Sequence, residues 1–577
     1  MHYINYILRL LIFLLSNFGY WEFLRKKTKV HIYFLPALTV ALQVSMLYFA
    51  GLFHILREVS LLLLLGGILL LLFQLRKPDF LKHYKNAGYL FLALSMVVLL
   101  FYVKGKSLAT YDNFSHWGLV VKQMLMTNRY PNFMDHLIGF TEYPLGSATY
   151  IYYAASFIGM GESVWMLAQA YMMLVSLVPL FILCKRNRAV SCMFMFFVSN
   201  FIFIYNIRIM DLPVDTLLPM VSMSALFYIY IYGGGREGCQ GNKRELYLAV
   251  PFLVQILQIK NSGIFFTAIA TVWILAGIRK DKQAWARVIT AFSPYLTLIL
   301  WHRHCSYVFD NSAVSKHAMT VQNYKAIFGG KTMEDVKSIS WGVLKFSFTW
   351  KDVWLFFLCL AVAGIVAYAA FKNCRSTFRR LFAFCVAMYI SYQVGTLFMY
   401  LFSMPGEEAL KLAGIGRYGR TILLAVFYCA VLLCMKLISE MQLKQMRSVI
   451  SLLSLVAVVA VCQIGAKGRI STIFSDVSVS VQRDWLEEVR LKYAIPSGDS
   501  YCILVGEKDD AGYITYMARY LFQSENISVL PWSEMTDESV MEDSRYILVY
   551  DGDNPDIREY MEKNYPAQAG SEVIIRE

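Results

Sequence analysis

The chain has 577 residues, of which 58% are hydrophobic and only 16% are charged, and its mean hydropathy is +0.49. A soluble protein carries about a quarter charged residues, so the composition excludes an ordinary soluble globular protein and indicates a polytopic membrane protein. The net charge of +14 lies in short basic clusters between apolar runs. That pattern is typical of cytoplasmic loops and not of a nucleic-acid-binding face, so no nucleic-acid partner is expected.

Apolar runs long enough to cross a bilayer recur along the first 466 residues. A spanning helix needs about 20 apolar residues, and the pattern predicts about 12 to 14 such helices. The first run lacks a small-residue cleavage site and is predicted to be a retained helix. The eighth and ninth runs are separated by "KNSG" and predict either two helices or one long kinked helix. The candidates lie near 4–22, 31–53, 57–75, 86–103, 163–184, 189–206, 213–232, 246–259, 262–278, 288–303, 353–371, 381–403, 421–438 and 448–464.

Basic residues predict the orientation of these helices. Seven loops rich in Lys and Arg, beginning with "RKKTK" (25–29), alternate with less basic loops along the chain. The positive-inside rule places the seven basic loops in the cytoplasm. The segments then expected outside are 104–162, 207–212, 304–352, 404–420 and the chain after Ala466.

The first large outer loop carries an aspartate followed by a helical pattern. From Trp117 to Leu125 the apolar residues recur at helical spacing, which predicts an amphipathic interfacial helix. A second helix is predicted over 142–159, lying flat on the outer face and opened by Pro144. Asp112 precedes the first helix, as its N-cap or as a catalytic carboxylate at the boundary between water and lipid. His116, one turn on, is a candidate substrate ligand or an interfacial histidine without a special role.

Several short motifs in this order resemble the GT-C superfamily of integral-membrane glycosyltransferases, which includes the protein O-mannosyltransferase, aminoarabinose transferase and oligosaccharyltransferase groups. The resemblance covers roughly 100–430, within a core expected at about 86–440. Many members carry a second acidic residue directly after the first aspartate, where this chain has Asn113, and fewer spans precede their motif loop. The matching stretches are "YDNFSHW" (111–117), "EYPLGS" (142–147), "FIGMGESVW" (157–165), "RIMDLPVD" (208–215), "LQIKNSG" (257–263) and "GRYGR" (416–420).

The resemblance implies a polyprenyl-phosphate sugar as donor, held in membrane lipid, and an acceptor hydroxyl on an extracytoplasmic glycan, polymer or protein. Displacement at the anomeric carbon requires a base for the acceptor and cations for the leaving phosphate. Asp112 is the candidate base. A divalent cation, Mg²⁺ or Mn²⁺, stays open as a cofactor, although Asn113 weakens a two-carboxylate metal site in this loop.

The remaining site candidates are charged groups at the ends of apolar runs, and each has an ordinary structural alternative. Lys260 is a phosphate ligand or a lysine that snorkels at a helix break. Asp211 and Asp215 bind the acceptor or a cation, or else cap the seventh span. Arg417 and Arg420 are phosphate ligands or ordinary loop charges. The predicted substrate-binding set is His116, Glu142, Asp211, Asp215, Lys260, Arg208, Arg417 and Arg420.

The composition changes after about residue 466, where long apolar runs stop and charge rises. Strand and helix patterns alternate over "SYCILVGEKDD" (500–510), "GYITYMARYLF" (512–522), "ISVLPW" (527–532) and "RYILVYDGD" (545–553). We therefore expect a transmembrane domain over 1–466 and an extracytoplasmic α/β accessory domain over 467–577, built on a parallel sheet. This domain contains neither GxGxxG nor a Walker loop.

Two other classes of protein handle the same lipid carrier. A transporter or flippase for a lipid-linked saccharide commonly shows broken helices in two matching halves, whereas this sequence has one broken segment. A surface-polysaccharide polymerase or ligase would carry its signal in a large late outer loop. Loop 304–352 is long, but its charged residues show no tight arrangement. Both remain alternatives to a multi-pass membrane glycosyltransferase.

Overall fold

The chain folds into an α-helical membrane domain followed by a small C-terminal α/β domain. The structure is a computed structural model. It describes residues 2–75, 78–204, 209–233, 243–278, 284–309, 321–442, 480–506, 509, 512–532, 541, 543–568 and 570–576. The boundary predicted at residue 466 and the candidate span at 448–464 lie outside these residues.

The first nine helices contain the apolar runs of the N-terminal half. They are α1 (His2–Lys27), α2 (Leu35–Leu52), α3 (Leu56–Leu75), α4 (Ala87–Val103), α5 (Gly118–Thr127), α6 (Gly146–Ile158), α7 (Glu162–Val175), α8 (Arg188–Ile204) and α9 (Leu217–Tyr232). The next ten complete the membrane domain. They are α10 (Ala249–Ile259), α11 (Gly263–Ala276), α12 (Ala284–Phe292), α13 (Leu296–Val308), α14 (Val321–Gly329), α15 (Met333–Thr349), α16 (Lys351–Ala370), α17 (Lys372–Phe402), α18 (Gly406–Leu410) and α19 (Ile415–Glu440).

Seven helices are long and apolar enough to cross a membrane, within the part of the chain that the structure describes. Five shorter apolar helices, α4, α8, α9, α10 and α11, accompany them. The chain is therefore a polytopic α-helical membrane protein. Its long apolar helices are Ile4–Lys27, Ile32–Leu52, Leu56–Leu75, Glu162–Leu183, Lys351–Ala369, Cys374–Phe402 and Ile415–Glu440.

The segment interrupted by "KNSG" forms two helices, α10 and α11, which pack against each other and both against α9. Lys260 ends α10 in an extended conformation, with φ −163° and ψ 150°. Gly263, the first residue of α11, packs closely against α10. A Cβ at this position would lie 2.3 Å from the carbonyl oxygen of Ile256, so only glycine fits without a shift. The glycine thus permits the close turn that places Lys260 between two apolar helices.

In the part of the C-terminal domain that the structure describes, three helices accompany a four-stranded sheet. The strand order is β2-β1-β3-β4; β1 pairs in parallel with β2 and β3, and β4 runs antiparallel to β3. The parallel arrangement predicted from the sequence therefore holds for three strands, and the prediction was wrong for the fourth. The elements are α20 (Val481–Lys492), β1 (Tyr501–Val505), α21 (Tyr513–Phe522), β2 (Ile527–Pro531), β3 (Tyr546–Val549), α22 (Pro555–Asn564) and β4 (Val573–Ile575).

Candidate active site

The segment that follows Asp112 is a π-helical turn, Asn113–Trp117, which leads directly into α5. Asp112 has α-helical backbone angles, and its side chain makes no capping hydrogen bond to the turn. The N-cap interpretation of this carboxylate is therefore wrong. A π-turn inside a helix often occurs at a functional site. Here it leaves the Asp112 side chain 38% exposed and available to partners elsewhere in the chain.

Four charged side chains meet in an alternating series, which we call the ion-pair chain: Asp112, Arg417, Asp215 and Lys260. Arg417 Nη1 lies 2.5 Å from Asp112 Oδ2, and Arg417 Nε lies 3.5 Å from Asp215 Oδ2. Lys260 Nζ donates to Asp215 Oδ1 over 2.6 Å. Two carboxylates and two cations balance in formal charge, which offsets much of the cost of removing them from water.

Each member of the ion-pair chain stands at the end of a helix. Asp112 precedes the π-turn, Asp215 precedes α9, Lys260 separates α10 from α11, and Arg417 lies in the first turn of α19. The helix ends therefore bring together residues that are far apart in sequence. The Asp112 and Arg417 side chains are the more exposed members, at 38% and 29%, whereas Asp215 and Lys260 are 5% and 15% exposed.

Two tyrosines border the ion-pair chain, and the sequence analysis selected neither. The Tyr418 ring lies beneath both cations, 5.1 Å from Lys260 Nζ and 5.5 Å from the Arg417 guanidinium carbon. The pKa of Tyr143 is raised to about 12, first by burial and then by Tyr418, Asp112 and Asp215, against the opposing charge of Arg417. Both lie inside quoted motifs, "EYPLGS" and "GRYGR", but an uncharged aromatic residue in a membrane sequence is too common to stand out.

Asp211 organises a second polar cluster beside the ion-pair chain. Its Oδ1 accepts hydrogen bonds from Thr110 Oγ1 over 2.7 Å and from Asn113 Nδ2 over 2.9 Å. The Asn113 side-chain oxygen in turn accepts from the Leu212 amide over 3.1 Å. These bonds join the loop that carries Asp112 to the segment that carries Asp215. Thr216, the residue that precedes α9, makes no capping hydrogen bond with its side chain.

His116 lies inside an aromatic box and not on an open surface. It is 3% exposed, and its ring contacts Trp117, Phe140 and Tyr143 at centroid distances of 4.8, 5.7 and 5.0 Å. Neither ring nitrogen has a hydrogen-bond partner among the described residues. Burial lowers the pKa of His116 to about 3, so the imidazole is neutral at physiological pH.

The remaining predicted ligands, Arg420, Glu142 and Arg208, are not members of the ion-pair chain. Arg420 follows Arg417 by one turn of α19, and its guanidinium lies beside Gly416. The carbonyl oxygen of Glu142 accepts from the indole of Trp301. Burial and then the charge of Glu142 raise the pKa of Tyr324 in α14. The ion-pair chain thus includes four of the predicted site residues, while Asp211 and His116 belong to neighbouring clusters. Arg208 lies outside the described residues.

A divalent cation does not fit the carboxylates as they are arranged. Asp112 is paired with Arg417, and Asp215 with both Arg417 and Lys260. The described residues contain no group of three His, Cys, Asp or Glu side chains that could hold a metal ion. No step proposed below uses a metal.

No protein-family model matches the chain, and no curated protein matches it. Among solved structures, the crystal structure of ArnT from Cupriavidus metallidurans in the apo state is similar, with a TM-score of 0.36 and 11% sequence identity. The similarity covers 82% of this chain and 94% of that one. A likeness at this level does not assign the chain to a family.

Proposed function

We propose that the chain is a membrane glycosyltransferase that moves a sugar from a polyprenyl-phosphate donor to an extracytoplasmic acceptor hydroxyl, with Asp112 as general base. The observation that carries the proposal is the ion-pair chain, because it combines an accessible carboxylate with two cations at one cluster of helix ends. The GT-C resemblance of the motifs around these residues supports the same reaction. The basic loops support an extracytoplasmic position for the site.

In the proposed reaction the carboxylate of Asp112 accepts a proton, and the cations Arg417 and Lys260 stabilise the leaving phosphate. The acceptor oxygen attacks the anomeric carbon of the donor sugar while its proton moves to a carboxylate oxygen of Asp112. The bond between the anomeric carbon and the phosphate oxygen breaks, and the phosphate leaves with the electron pair. Arg417 and Lys260 stabilise the negative charge that develops on this phosphate.

The pairing of Asp112 with Arg417 implies that the donor binds before the acceptor. The Asp112 carboxylate is engaged by the Arg417 guanidinium at 2.5 Å, and this contact keeps it from the acceptor hydroxyl. A donor phosphate competes for the same guanidinium, since arginine binds phosphate and carboxylate with the same planar fork. Donor binding therefore releases the carboxylate for the acceptor. Arg420, one turn further along α19, adds positive charge on the side of the incoming phosphate.

The choice of a lipid-linked donor rests on where the cations lie. Lys260 lies at the junction of two apolar helices, α10 and α11, and a charge beside apolar helices is rarely kept without a task or a partner. Asp215 provides the partner. A donor whose phosphate enters from the bilayer reaches these cations while its polyprenyl chain stays in lipid.

The experiment uses the purified full-length chain in detergent, a panel of polyprenyl-phosphate monosaccharides, one polyprenyl-linked oligosaccharide and an isolated envelope glycan as acceptor. Detergent removes the two membrane sides, so a flippase forms no chemical product while a transferase still does. We expect free polyprenyl phosphate and a glycan that carries one added sugar. Transfer of a preformed chain would instead support a polymerase or ligase. Absence of any product from every donor would refute the proposal.

A further inference from the structure

The C-terminal domain contacts the loop that leads to Asp112 through a buried polar hub. The Glu162 carboxylate, at the start of α7, accepts from Arg483 Nη1 over 2.9 Å and from Arg483 Nη2 over 3.0 Å. The same carboxylate accepts from the Tyr520 hydroxyl over 2.5 Å and from the Leu108 amide over 2.6 Å. Arg483 and Tyr520 belong to α20 and α21 of the C-terminal domain, whereas Leu108 lies in the loop that leads to Asp112.

The backbone just before Asp112 makes hydrogen bonds both to Glu162 of the membrane domain and to the C-terminal domain. Glu162 binds the amide of Leu108, and the Arg483 guanidinium donates to the carbonyl oxygen of the same residue. The Tyr513 hydroxyl donates to the next carbonyl oxygen, that of Ala109, over 2.6 Å. Arg483 is only 5% exposed, so the hub lies in a medium where such bonds are strong and their loss is costly.

Aromatic contacts also join the residues on either side of Asp112 to the C-terminal domain. Tyr111 meets Tyr516 edge to face at a centroid distance of 5.1 Å. Phe114 contacts Tyr520 at 5.3 Å and Tyr513 at 6.0 Å. The residues directly before and two positions after the candidate base are therefore packed against α21.

We propose that the C-terminal domain positions the candidate base, with Glu162 and Arg483 as the positioning residues that hold the Leu108–Phe114 segment. The proposal rests on the proposed function, because it assigns the domain a part in that reaction. Neither residue reaches the reacting atoms; they act through the backbone that carries Asp112. A displacement of about 1 Å at a reacting group can cost about 100-fold in rate, which is the size of effect at stake.

The test replaces the buried pair with uncharged groups of similar size, Glu162→Gln together with Arg483→Met, in the full-length chain. Replacing both partners avoids the isolated buried charge that a single change would leave. The matched control is Lys492→Met, which breaks the exposed Lys492–Glu572 ion pair of the same helix α20. A milder variant, Tyr513→Phe, removes only the hydroxyl that binds Ala109 and serves if the double variant fails to fold.

Two readouts are taken on each protein. Hydrogen exchange of the amides in 108–114 reports the attachment itself, with no substrate present. Steady-state transfer from the donor that the wild-type chain uses reports kcat and KM separately. We expect faster exchange in 108–114 and a fall in kcat of about 100-fold for the double variant. KM for the donor should stay within about 3-fold, because Lys260 and Arg417 lie on other elements.

The outcomes separate this inference from the proposed function. Faster exchange with unchanged kcat would overturn the positioning role and leave the transferase intact. Unchanged exchange in both the double variant and Tyr513→Phe would overturn it as well. A wild-type chain that transfers no sugar would refute the proposed function, and the positioning role with it. The Lys492→Met control should match the wild-type chain in both readouts.

Discussion

The carboxylate of Asp112 and the guanidinium of Arg417 are 305 residues apart in the chain and lie 2.5 Å apart in the folded protein. Arg417 also approaches Asp215, so a single guanidinium joins two carboxylates from different loops. This relationship connects the exposed end of the site, where we propose that the acceptor arrives from water, with the less exposed Asp215 and Lys260. The ordered binding of donor and acceptor proposed above follows from it.

Arg417→Met should weaken the binding of free polyprenyl phosphate by at least about tenfold. The reason is that a guanidinium-to-phosphate contact contributes about 1.5–3 kcal/mol as a charge-assisted hydrogen bond. Binding is measured on the purified chain with polyprenyl phosphate in detergent micelles. Arg303→Met, at an exposed arginine of α13, is the control and should bind as the wild-type chain does. Equal binding by both variants would remove Arg417 from the phosphate site.

Lys260 and Asp215 should behave as a coupled buried pair in a double-mutant cycle. Lys260→Met alone leaves a carboxylate that is 5% exposed with only the more distant Arg417 as a cation, which costs up to about 3–5 kcal/mol of folding stability. Adding Asp215→Asn should recover most of that loss, because no isolated charge remains. Thermal unfolding of the three variants measures the coupling. Additive losses would show that the two side chains do not interact, and transfer activity should stay low in the double variant although its stability recovers.

Asn113→Asp should destabilise the chain at neutral pH. The amide that now donates to Asp211 over 2.9 Å would become a second carboxylate facing the first. Loss of the donor in a buried site costs about 1–3 kcal/mol, and repulsion between like charges adds to it. Exchanging the two groups in Asn113→Asp with Asp211→Asn should restore a hydrogen bond and most of the stability. Thermal unfolding compares the single variant with the exchanged pair, and equal instability of both would contradict the role given to this bond.

Much of the fold is readable from the sequence because apolar runs and their interruptions are local features. The charged residues of the site were also visible, since Lys260 and Arg417 stand out beside apolar helices. Their pairing was not, because it depends on how distant helix ends assemble. The position of Tyr143 beside the site and the partners of Glu162 could not be predicted either, because they too depend on how distant segments pack. The direction of β4 was missed since a short terminal strand pairs either way until its edge is known.

His116 should make the folded chain sensitive to acid. Its pKa is lowered to about 3 by burial, against an ordinary value of 6.5. Below about pH 6.5 the unfolded chain binds a proton that the folded chain excludes, so stability falls as the pH drops toward 3. At about pH 4.5 the loss amounts to about 2–3 kcal/mol.

The measurement is thermal unfolding near pH 7.5 and near pH 4.5 for the wild-type chain, His116→Phe and the exposed-histidine control His302→Phe. The drop between the two pH values should be smaller in His116→Phe than in the other two proteins. If all three proteins lose the same stability, the histidine is protonated in the folded chain and the aromatic box is open to water.

In the proposed reaction, Asp112 takes the proton of the acceptor hydroxyl. Asp112→Asn keeps the shape of the side chain and removes its basicity, and Asp553→Asn, at a fully exposed carboxylate of the C-terminal domain, is the matched control. Sugar transfer from the polyprenyl-phosphate donor is measured in detergent, with binding of polyprenyl phosphate measured on the same samples. The account predicts a fall in kcat of about 100- to 10,000-fold for Asp112→Asn, with phosphate binding retained or tightened because Arg417 is released. Transfer by Asp112→Asn at the rate of the control would contradict it.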